Sequence, residues 1–125
     1  MKLEFLASGS QDCPLIRLFD FDLPEVTRLR KIFEDLSQGA LQTADLHNEP
    51  GIEPIDSCQL TLRVGNRDLG VEQNGQLGFE CVLTPDSWDW VRELVDPFCE
   101  GRTGGYQWLS EQGKVSLLLS RSGMW

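Results

Sequence analysis

One histidine, one tyrosine and no Cys-x-x-Cys pair leave 125 residues with little from which to assemble a catalytic or metal centre. Long apolar runs are missing too. No stretch approaches the ~20 residues that a membrane-spanning helix requires, so no membrane partner is expected. Basic residues are scarce, with 11 Lys and Arg against 20 Asp and Glu and a net charge of −9. That balance speaks against non-specific binding to nucleic acid or anionic lipid, and it suits solubility or a basic partner. The opening "MKLEFLASGS" carries Glu4 inside its apolar run and alternates like a strand, unlike a secretory signal. Cysteines at 13, 58, 81 and 99 stand far apart with no histidine near them. Free thiols in a cytoplasmic chain, with no metal and no cofactor, are the expectation.

What is present reads as two amphipathic helices among strands. In "DLPEVTRLRKIFEDLSQG", Val26, Leu29, Ile32, Phe33 and Leu36 share one arc of a helical wheel. Asp22 caps its start with Glu25 three residues on, and Gly39 closes it. The second helix opens on "TPDS", with Thr84 as N-cap, Pro85 in the first turn and Asp86 where the helix dipole favours an anion. Val91, Leu94, Val95 and Phe98 centre its apolar sector. Trp88 and Trp90 fall at opposite rims, each expected to seal one edge of the helix–sheet seam. Pro97 predicts an end or kink there.

Strands are expected at Lys2–Ala7, Leu15–Phe21 and "CQLTLRV", and more weakly in "LQTADLH". "DLGVEQNGQLGFECVL" reads as a hairpin about Asn74-Gly75 in a type I′ turn, and "YQWLS" with "KVSLLLS" as another. "NEPGIEPIDS" is the one long irregular loop, while "GRTGGYQW" relieves backbone strain between helix and strand. "FDFDLPEVTRLRKIFED" aligns with "ECVLTPDSWDWVRELVD" at an offset of 61 positions, matching Pro24 with Pro85 and Lys31 with Arg92. Capping chemistry alone accounts for part of that echo. The fold class expected is α+β: a mainly antiparallel sheet of hairpins with two helices on one face. One domain, 1–125, is expected, with 1–65 and 66–125 as candidate pseudo-repeat halves of ββαββ form if the echo is more than shared capping chemistry.

The strand end "LFDFDLPEV" places Asp20 and Asp22 two apart, which resembles the opening motif of haloacid-dehalogenase-like phosphatases. The resemblance implies a nucleophile at Asp20 and a proton carrier at Asp22. The Gly-Thr that follows in that family is Leu-Pro here, and no phosphatase activity is expected. Strand end plus helix cap accounts for both acids.

Two functional readings remain. In "YQWLS" Tyr106 and Trp108 share a face, and Leu118 of "KVSLLLS" opposes Val115, Leu117 and Leu119. If the helices cover the latter three, Tyr106, Trp108 and Leu118 form an outward apolar patch, the mark of a partner surface. The terminal Met124 and Trp125 are the residues placed to cover it. The first reading is therefore a protein-interaction or self-association module without catalysis, a homodimer being its simplest form. The alternative is a small-ligand binder or hydrolytic enzyme with a pocket near the 48–57 loop, using His47, Glu49 and Glu53.

Overall fold

Strands of this chain pair far along the sequence as often as with their neighbours. The computed structural model describes residues 1–101 and 104–125. In order it contains β1 (Lys2–Leu6), β2 (Leu15–Phe19), α1 (Leu23–Gln38), β3 (Thr43–Asp45), β4 (Glu53–Pro54) and β5 (Gln59–Val64). There follow β6 (Gly70–Gln73), β7 (Gly78–Leu83), α2 (Pro85–Cys99), β8 (Tyr106–Ser110) and β9 (Ser116–Ser120). Of the Gly-rich segment, Arg102 and Thr103 lie outside the described residues.

The class is α+β, but the expected single, mainly antiparallel sheet is corrected to two mixed ones, ordered β4-β1-β2-β9-β8 and β3-β5-β7-β6. The hairpins β1–β2, β6–β7 and β8–β9 are antiparallel. At the centre of each sheet, however, a strand from one half of the chain lies parallel to one from the other: β2 beside β9, and β5 beside β7. Sequence alternation reports which residues share a face and carries no information about a partner a hundred residues away.

The helices form where expected, for local reasons. Asp22 accepts from the Glu25 N–H at 2.9 Å while Glu25 accepts from the Asp22 N–H at 3.0 Å, and Gly39 closes α1 in the left-handed conformation. The second Glu25 oxygen binds the Met1 amino group. Thr84 caps α2 by accepting from the Ser87 N–H, and Asp68 completes the cap, accepting from the Thr84 N–H at 2.8 Å and the Ser87 hydroxyl at 2.7 Å. Pro97 lies in the last turn of α2, and the helix ends two residues on, at Cys99. The type I′ turn is corrected. Gly75 has φ of +88° but Asn74 does not join it at positive φ, and a wider loop closes through Asn74 N–H to Gly78 O at 2.7 Å.

The two helices pack on each other, and Arg30 links them by binding Asp96. Their apolar faces and the inner faces of both sheets contribute to one continuous core. Phe5 of the first sheet meets Phe79 of the second with ring centroids 4.5 Å apart. Phe33 of α1 stacks on Trp88 of α2 at 5.6 Å. The sheets also touch at one corner, where Val71 bridges Val115 and an added Cβ on Gly113 would meet Val71 O at 2.1 Å.

Candidate functional site

Strand β8 is the outer strand of its sheet and, among the described residues, pairs only with β9. Gly105 O accepts from the Arg121 N–H at 3.2 Å, so backbone groups at 105 point inward along the ladder. By strand alternation those of Tyr106 and Trp108 face the open edge, where the Gln107 side-chain amide donates to Trp108 O at 3.1 Å. The register shifts between Trp108 and Ser110, which leaves Leu109 as an extra residue, and Leu109 and Ser110 are both buried.

Aromatic side chains flank this edge on both sides. Trp108 is half-buried and lines two cavities. The first, a groove of about 270 Å³ between α2 and β8, also takes in Trp90, Leu94, Leu109, Ser110 and Glu111. The second, an open cavity of about 600 Å³ on the outer face of the sheet, takes in Tyr106, Met124, Trp125, Asp12 and Arg17. Trp90 is 61% exposed, which corrects its expected place at the seam. Trp88, by contrast, is fully buried and donates its indole N–H to Arg63 O at 3.2 Å. A wheel with both indoles at its rims cannot say which rim faces the other helix; the α1 contact decides.

Tyr106 is 50% exposed, as the outward patch requires, but Leu118 is corrected to a fully buried position. It lies on the expected face, in register with Arg17 on β2 and Trp108 on β8. The chain end folds back over that face: Arg17 donates to Gly123 O at 2.8 Å, Ser120 to Met124 O at 2.6 Å, and the Trp125 indole to Asp12 at 3.0 Å. The tail thus covers the middle of the patch and adds Met124, 73% exposed, and Trp125 to its rim.

The second set of candidates does not converge. His47 accepts the Leu60 N–H at Nδ1, 3.2 Å away, and so ties its own short helical turn to β5. Glu49 pairs with Arg28 at 3.4 Å. Glu53 lines an open cleft of about 490 Å³ with Lys2, Asp20 and Glu25, to which neither His47 nor Glu49 contributes. Asp20 pairs with Lys2 at 3.1 Å, and Asp22 is occupied as a cap. Among the described residues no group of three or more His, Cys, Asp or Glu side chains is placed to hold a metal, and the four cysteines are free. Burial pushes the thiols of Cys58 and Cys81 up to about 11 and about 12, away from nucleophilic use at neutral pH.

Sequence reasoning missed Trp90, and only its position two residues from the second indole signalled a division of labour. Comparison with protein-family models, curated proteins and solved structures finds no match to this chain.

Proposed function

We propose that this is a protein-interaction module that binds through the β8 edge and its aromatic flanks, without catalysis. One observation carries the reading. Of the six large hydrophobic side chains more than a third exposed among the described residues, three — Trp90, Tyr106 and Met124 — border the cavities beside β8, while Leu23 opens α1 and Leu69 and Leu77 lie in the loops at the two ends of β6. Concentrated aromatic surface at an unpaired edge favours strand addition by a second polypeptide.

An internal duplication would support the same reading. In our interpretation residues 1–65 and 66–125 are two ββαββ halves that exchange strands. Each sheet then takes the first hairpin of one half and the last strands of the other, β1-β2-β9-β8 in one and β6-β7-β5-β3 in the other, with the two-residue β4 added outside β1 as a departure from the correspondence. On this correspondence β3 and β8 occupy equivalent edges. The first is three residues long, Thr43-Ala44-Asp45, with both polar residues exposed. The second is longer and carries Tyr106 and Trp108. One edge is blunted in the way that prevents association, and the other is equipped for it.

A second copy of the chain and a different protein are both partners of the right kind. The test is a melt of Trp108→Glu and Leu118→Glu beside sedimentation of the wild type. Trp108→Glu should fold with a Tm within a few degrees of wild type and lose any self-association, whereas Leu118→Glu should not fold. An unfolded Trp108→Glu would show that the indole serves the core and overturn the proposal.

A further inference from the structure

Resting on that reading, we infer that the occupant of the β8 edge is an extended, basic segment of another protein, which adds a strand there and places a cationic side chain in the groove between α2 and β8. Three observations converge. The first is the open edge itself, whose Tyr106 and Trp108 backbone groups face outward and supply the hydrogen bonds that any extended chain can use.

The second is the groove. At about 270 Å³ it falls just below the span of about 300–1,000 Å³ usual for small-molecule sites, which fits a single long side chain rather than a metabolite. Its walls include the indoles of Trp90 and Trp108, whose faces attract guanidinium and ammonium groups. Ser110 lines it with only 8% exposure, and its hydroxyl has no hydrogen-bond partner among the described residues. A polar atom of the incoming side chain would meet that need.

The third is charge. Glu111 lines the groove and makes no ion pair among the described residues. Asp86, one helical turn before Trp90, makes none either. Helix α2 carries four acids against Arg92; Asp89, Glu93 and Asp96 all pair with Arg92 and Asp96 also with Arg30, which still leaves acid in excess on the helix. A chain of net charge −9 presenting this edge repels another copy of itself and attracts a basic strand.

The experiment uses the full chain and three capped peptides of about nine residues, a length that spans the edge. One alternates Arg with Val, one alternates Glu with Val, and one is the Arg peptide N-methylated at every residue whose N–H would face β8. Binding is read by tryptophan fluorescence and calorimetry. The Arg peptide should bind with an affinity that falls as salt rises, and the Glu and N-methylated peptides should bind roughly tenfold more weakly or not at all. Trp90→Ala and Glu111→Gln should each weaken the Arg peptide several-fold while their melts match wild type. Equal binding of Arg and Glu peptides, indifference to N-methylation, indifference to Trp90→Ala, or no binding of the Arg peptide would each overturn the inference. A wild-type dimer that Trp90→Ala dissociates and that excludes the Arg peptide would assign the edge to a second copy, overturning the basic partner while leaving the interaction module standing. Only unfolding of Trp108→Glu removes both.

Discussion

Removing one or the other of two neighbouring indoles should have opposite consequences, and the difference measures how the helix pair is built. Trp88 is fully buried, stacked on Phe33 at 5.6 Å with 12° between the ring planes, and its N–H finds an acceptor in Arg63 O. An indole of this kind buries roughly 150–250 Å², about 4–6 kcal/mol of transfer free energy at ~25 cal/mol per Å². Alanine retains part of that area and leaves a cavity, so Trp88→Ala should cost about 4 kcal/mol. Trp90 is 61% exposed, and its replacement by alanine removes little buried surface while improving helix propensity. Its cost should lie within about 0.5 kcal/mol of zero. In urea, with a slope of roughly 2 kcal/mol per molar, the Trp88→Ala midpoint should fall by about 2 M and that of Trp90→Ala should stay in place. Far-UV circular dichroism follows both transitions without depending on the lost fluorophore. Equal midpoint losses would refute the assignment of Trp88 to the core and Trp90 to the surface.

Asp68 provides a pH-dependent test. The Thr84 N–H, followed by the Ser87 and Thr84 hydroxyls, holds its carboxyl below the usual value of 3.8, against the opposing effect of burial. A carboxyl depressed on folding stabilises the native state above its unfolded pKa, and that contribution is lost as pH falls through the folded value. Asp68→Ala should therefore lower stability by about 1–2 kcal/mol at neutral pH, with the gap to wild type narrowing below about pH 4 in urea melts. Thiol labelling tests the burial pattern: in native protein at pH 8 an aromatic disulfide reagent should modify Cys13 first and Cys99 more slowly. Cys58 and Cys81 should react only on unfolding. Rapid modification of Cys81 in the folded state would contradict its place in the core.

The parts of this protein that the sequence discloses are those whose causes lie within a few residues. Asp22 with Glu25, Thr84 with Ser87, and Gly39 mark the helix ends because a cap is a contact across three positions. The apolar arc of α1 matches the buried set Val26, Leu29, Ile32, Phe33 and Leu36 for the same reason. What stays hidden depends on distant partners. Nothing in "LIRLF" or "SLLLS" says that the two strands lie side by side, so two sheets look like one. Leu118 reads as exposed because the residues that fold across its face come from the chain end. The edge site was half legible. Tyr106 and Trp108 could be found from alternation alone, but the groove required knowing that α2 passes close to β8.

The parallel pairings also govern the order in which the molecule can assemble. Leu15 sits opposite Ser116, and Gln59 opposite Gly78. The second contact closes a short loop, whereas the first must gather nearly the whole chain before any of its hydrogen bonds forms. Loop-closure entropy rises only slowly with length, yet it is spent before the contact repays it. By the same reasoning β5 and β7 with the intervening β6 are expected to pair early, and the β8–β9 hairpin, itself closed by a short loop, is expected to dock on β2 last. Until that final step the unpaired edge of β2 stands open, and the strand that closes it carries the hairpin partner whose own free edge serves the function proposed above. The groove between α2 and β8 is complete only once that hairpin has docked, so a chain that has not finished folding lacks it.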